Sequence, residues 1–349
     1  MKYPEVTVAE LGLLSPYLLQ RPEPQELDGR GCFSRESCSK IEKMILNDLS
    51  VRLTGFQTPV IEDRGTDPNN RWRVASCMQK AIRFSNVGMA QFAASILCDL
   101  DKTYLFRRLG VVAVEDIGAG SIYSMLASLA ALSSSSWRET ADPRRLGTYL
   151  ATLMAQSPKD RTCVDILIIA DFAHHLDKAA LARKKDDDLV DVITDARQPL
   201  ELRACCAWLL AGTKRFAGET MPASNDRDPG RLYRLMVELG LSRAMLYLAA
   251  KTASRISEAM FVSFIFMDEF LRGSQPTIEP TSMPGGLQEL VGKLLGAAYD
   301  MHTREGQHAL NIVPGRLKNE LEPFLKHCHA GMRRTFMGFG MFVAEGGML

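Results

Sequence analysis

Arg107-Arg108-Leu109-Gly110-Val111-Val112-Ala113-Val114-Glu115-Asp116-Ile117-Gly118 is the stretch on which the fold turns. A basic pair, an apolar run, an acidic pair and a glycine follow one another, and two readings compete. Residues 109–114 could form a buried strand with Glu115 and Asp116 at its tip, like the acidic end of a nucleotide-binding strand. Alternatively they form the core face of a helix that stops at Gly118. The first reading points to an enzyme, the second to a packed helical scaffold.

The neighbouring residues favour the helix. Upstream, Asp101 can cap a helix carrying Leu105, Leu109, Val112 and Ala113 on one side, and Gly118 and Gly120 can end it. Before it, Val74, Met78, Ala81 and Ile82 form one apolar stripe, and Ala90, Ala93, Ala94, Leu97 and Leu100 the next, separated by a break at Asn86-Val87-Gly88. A further helix is expected over 37–49, with Ile41, Met44, Ile45 and Leu49 on one face.

A recurring device, a capping residue followed by Pro at the first helical position, predicts helices from Asp142-Pro143, Ser157-Pro158 and Asp228-Pro229. Another begins at Pro199 and stops at Gly212, and Ser242 can cap a long helix reaching about Leu271. A last pattern follows Pro284-Gly285-Gly286, to about His302. Isolated β-like runs occur at 111–114 and 164–169, but no alternating strand series surrounds them. The expected class is therefore all-α, a multi-helix bundle.

The expected organisation is an irregular segment over 1–70 with one helix, a helical domain over 71–216, a Pro-, Asn-, Asp- and Gly-rich linker over 217–230, and a second helical domain over 231–349. In this context Val111 and Val112 mark a tightly buried helix face. Glu115 and Asp116 become structural acids pairing with nearby arginines.

Composition narrows the function. The chain has 349 residues, 46% of them hydrophobic, and a net charge of +1, so an anionic partner must be met by a local patch. The opening MKYPEVTVAELGLL has no long apolar core, which argues against a signal peptide, and no long uncharged apolar run suggests a membrane span. Eight scattered cysteines with no CxxC pair suit free thiols in a reducing compartment, and the expected location is cytoplasmic.

Several chemistries are weak. No GxxxxGK[ST] phosphate loop exists; Gly118-Ala119-Gly120-Ser121 is the nearest approach and lacks its lysine. Asp171, His174, His175 and Asp177 share one segment. On a helix, Asp171 and His175 would share a face, as would His174 and Asp177, which could hold a metal. Asp300 and His302 lie in a second acid–histidine stretch. These residues carry a rival reading, a metal-dependent helical hydrolase or nuclease, against a solvated polar helix end.

Positive charge is the stronger signal. Residues 71–108 hold seven basic residues against two acidic ones, and residues 304–334 hold six against three. Lys80, Arg83, Arg107, Arg108, Arg304, Lys326, Arg333 and Arg334 are the candidate DNA contacts.

The run Lys80-Ala81-Ile82-Arg83, Asn86-Val87-Gly88-Met89-Ala90, Phe92-Ala93-Ala94, Arg107-Arg108-Leu109 and Ala113-Val114-Glu115-Asp116-Ile117-Gly118 resembles the C-terminal helical domain of the RarA/MgsA replication-associated recombination AAA+ ATPases. The resemblance covers about residues 71–170. It implies a clamp-loader-collar-like helical fold, self-association, and a setting at stalled forks and DNA ends. The family's motor has no counterpart, because the first 70 residues are too few for an AAA+ domain. No catalytic residue, metal or cofactor carries over.

The expected function is thus non-enzymatic: a homo-oligomeric helical protein of DNA replication or recombination, of a kind a phage or mobile element could encode. It would bind DNA or replication and recombination proteins. A module that binds or inhibits a host replication factor is the other rival.

Overall fold

The computed structural model is all-α and describes residues 15–59, 71–223, 226–256, 258–267, 290–291 and 294–295. Its helices begin with α1 (Ser15–Leu19), α2 (Arg35–Gly55), α3 (Arg71–Arg83), α4 (Val87–Val112), α5 (Ile122–Ser133), α6 (Ser135–Thr140) and α7 (Pro143–Gln156). They continue with α8 (Thr162–Phe172), α9 (Lys178–Ala182), α10 (Asp186–Thr194), α11 (Leu200–Ala211), α12 (Gly230–Glu238) and α13 (Arg243–Lys251). The backbones of Leu290–Val291 and Leu294–Leu295 pair antiparallel.

Side-chain caps start many of these helices, each contributing about 1 kcal/mol. Asn86 accepts from the Met89 amide at 3.1 Å, and Asp142 from the amides of Arg144 and Arg145 at 3.1 and 3.3 Å. Asp101 also caps as expected: its carboxylate accepts from the Tyr104 amide at 2.9 Å. The result is a kink rather than a new helix, because Asp101 alone leaves helical geometry (φ −163°, ψ 90°) while α4 runs on either side of it.

Two further expected helices differ. Ser157 ends α7, and Pro158 stays outside any helix; α8 starts at Thr162, where Asp160 accepts from the Thr162 amide at 3.0 Å. The helix capped by Ser242 ends at Lys251 and gives way to a π-turn over Thr252–Ile256 and a 3-10 segment over Ala259–Ile265. The N-terminal region holds α1 as well as α2. Both β-like runs are helical: 111–112 closes α4, 113–117 is a π-turn, and 164–169 lies inside α8.

The bundle is built around enclosed helices. Every residue from Val74 to Arg83 in α3 is buried, as is every residue from Ile122 to Ala131 in α5. α4 packs against α3 and α7, α5 against α2 and α13, and α11 against α8 and α10. The segment over 217–230 connects α11 to α12, and buried residues on both sides of it belong to one continuous core, from Leu18 to Met267. Ion pairs reinforce that continuity: Arg243 on α13 meets Glu26 at 2.7 Å, and Lys251 meets Glu42 on α2 at 2.5 Å. Apart from 290–291 and 294–295, residues 268–349 of the expected second domain lie outside the described residues.

Candidate nucleic-acid interface and the charged network beneath it

The C-terminal end of α4 places the charged groups. After Val112 the backbone widens into a π-turn over Ala113–Ile117, a form often found at functional positions. Gly118 ends it with φ +47°, a conformation that disfavours a side chain. A Cβ at Gly118 would lie 2.5 Å from the Asp160 carbonyl oxygen, and one at Gly120 would lie 2.4 Å from that of Pro158. The two glycines thus let backbone meet backbone. Between them the Ala119 amide donates to the Asp160 carboxylate at 2.8 Å, so the turn already holds an anion from its own chain.

The acidic pair faces inward. Asp116 is fully buried and accepts from Arg83 Nε at 2.6 Å and Gln79 Nε2 at 2.9 Å, with Arg161 Nε 4.0 Å away. Glu115 accepts from the same Gln79 amide at 3.2 Å. Gln79 Oε1 accepts in turn from Arg108 Nη2, so one amide links a surface arginine to both acids.

Burial pushes the Asp116 carboxyl up, but the charges of Arg83 and Arg161 and the hydrogen bonds from Arg83 and Gln79 outweigh it. They hold the group below the usual carboxylate range. Burial, and then the Asp116 charge, push Glu115 up. Lys159 donates to the carbonyls of Met154 at 3.0 Å and Ala155 at 3.1 Å, and burial lowers its ammonium to about 8. Removing one partner of such a buried pair costs about 3–5 kcal/mol. Glu115 and Asp116 are structural acids paired with arginines, as their sequence context suggests.

Lys80 and Arg83 require a correction. They are 3% and 6% exposed, on the enclosed stretch of α3 from Val74 to Arg83, and Arg83 is directed at Asp116. As placed, they do not present their charge to a phosphate backbone. Arg107 is exposed and Arg108 half-buried, one turn beyond Tyr104 on the same face of α4. Arg304, Lys326, Arg333 and Arg334 lie outside the described residues, as do Asp300 and His302.

The first turn of α3 completes the surface. Trp72 is 51% exposed, and its ring meets Tyr104 edge-on with centroids 5.1 Å apart. The Arg71 guanidinium lies 4.8 Å from the Trp72 centroid and 5.3 Å from that of Tyr104, within cation–π range, and pairs with Asp101 at 2.7 Å. Burial raises the Tyr104 phenol, and the charges of Arg108, Arg71 and Arg107 oppose the rise. Trp72 escapes sequence reasoning because one tryptophan opening an amphipathic helix reads as core.

No family model matches the chain, and no curated protein or solved structure to which it was compared is similar to it.

The metal-site arrangement is not formed. α8 ends at Phe172, so Asp171, His174, His175 and Asp177 do not share a helix. Asp171 accepts from the amides of Glu219 and Thr220 at 2.9 and 2.8 Å, and Asp177 caps α9 through the Ala180 amide. Among the described residues no group of three His, Cys, Asp or Glu side chains is placed to hold a metal ion. Seven described cysteines are free, and burial pushes the thiols of Cys38 and Cys205 up to about 11, away from nucleophilic reactivity. No helix among the described residues is long and apolar enough to cross a membrane.

Proposed function

We propose that this chain is a non-catalytic helical protein that binds DNA in a replication or recombination setting. The observation that carries the reading is the surface strip in which exposed Trp72 lies beside Tyr104 and Arg71, with Arg107 and Arg108 one turn along α4 from Tyr104. Arginines and an exposed aromatic on rigid helices are the side chains that nucleic-acid surfaces use. The replication setting, self-association and a mobile-element origin rest on the resemblance of residues 71–170 to the RarA/MgsA collar domain.

Arg107 is the cleanest probe, because it is exposed and lies outside the buried network. Fluorescence anisotropy with labelled DNA at increasing salt tests the reading. Arg107→Ala is expected to weaken binding several-fold and to flatten the salt dependence by about one phosphate contact. DNA retention that is absent at low salt, or unchanged by Arg107→Ala, sinks it.

A further inference from the structure

We infer that the strip on α3 and α4 binds single-stranded rather than duplex DNA, stacking a base on Trp72 while Arg107 and Arg108 take adjacent phosphates. The inference rests on the DNA-binding reading above and adds the strand class.

Charge is the first reason. Arg71 is already paired with Asp101 at 2.7 Å, which leaves Arg107 and Arg108 as the strip's cations on α4 among the described residues. The roughly two phosphate contacts that the described part of the strip supplies fall far short of the roughly six to ten that drive strong duplex binding by counterion release. A duplex laid across this surface would gain little.

Aromatic geometry is the second reason. A duplex keeps its bases stacked within the helix, and a side chain reaches a base face only by prising a step apart. A single strand offers its base faces directly. Trp72 is held for such a contact: Tyr104 supports it edge-on at 5.1 Å, and Arg71, 4.8 Å from its centroid, is fixed by Asp101. The indole remains 51% exposed despite these supports. Leaving so large an apolar ring half in water is costly, and a stacking base would relieve that cost.

Placement is the third reason. Tyr104, Arg107 and Arg108 follow one another along a single turn of α4. A strand stacked at Trp72 therefore meets the arginines within about one nucleotide step along the helix.

The test compares three probes on the full chain: a thymidine 20-mer, a 20-base-pair duplex, and a 20-mer of abasic sites carrying the same phosphates. The thymidine strand is expected to bind at least tenfold more tightly than the other two and to quench Trp72 fluorescence. Its salt slope should be shallow, near that of about two phosphate contacts on a single strand. Trp72→Ala should weaken thymidine binding about five- to hundredfold, the range for one stacked base, and leave abasic binding unchanged. Trp72→Phe should restore most of the loss, and circular dichroism should confirm that both variants fold.

Equal binding of duplex, thymidine and abasic strands, still sensitive to Arg107→Ala, overturns the single-strand inference while the DNA-binding reading stands. Thymidine binding indifferent to Trp72→Ala also overturns it. Absence of binding to every probe removes both.

Discussion

Asp165 is the residue whose protonation most directly sets a pH dependence. It lies in the first turn of α8 with one carboxylate oxygen buried and without a hydrogen bond. Burial raises its carboxyl to about 6, with the charge of Arg161 opposing the rise. A carboxyl whose pKa is higher in the folded chain binds its proton more tightly there, so stability falls as pH rises from about 4 to 6 and then levels off. Asp165→Asn should abolish that decline. It should raise stability at pH 8 by ~3 kcal/mol at most and change little at pH 4, as measured by urea denaturation. An unaltered pH profile would remove Asp165 as its source. Asp116 acts in the opposite sense: its lowered pKa gives stability that is present above the ordinary carboxylate range and lost as pH falls through the folded value.

At the scale of elements, the turn that ends α4 is the most demanding. Gly118 combines φ +47° with a backbone oxygen 2.5 Å from where a Cβ would sit. Gly118→Ala should therefore cost at least ~1–3 kcal/mol, read as a lower urea midpoint with an unchanged slope. A midpoint equal to the parent's would show that the 158–160 loop can move aside. The helices themselves were largely legible in the sequence, because stripes such as Val74, Met78, Ala81 and Ile82 are set by local periodicity and are buried as expected. What was not legible depends on partners far along the chain. Pro158 fails to open a helix because its carbonyl packs on Gly120, 38 positions before it. Arg83 looked like a surface cation because the acid that draws it inward lies 33 residues away. The role of Asp101 was local, so its cap could be foreseen, whereas the exposure of Trp72 follows from how α3 and α4 meet.

At the scale of the whole molecule, one apolar core runs from α1 to the segment after α13. The described residues should accordingly unfold together. Leu97→Ala on α4 and Leu246→Ala on α13, both at fully buried positions, should each cost about 2–5 kcal/mol and shift one shared transition. Two separable transitions, each sensitive to only one substitution, would show that the two regions are energetically independent. The Gln79 bridge has a consequence for how such a molecule handles a ligand. Its amide holds Arg108 on one side and Asp116 and Glu115 on the other. Arg108 gives Gln79 one of its five N–H donors, so a phosphate bound by the others would share the guanidinium with the interior, and the two contacts would be thermodynamically linked. Reciprocity then requires that whatever a bound phosphate does to the Arg108–Gln79 contact, that contact does to the phosphate by the same factor.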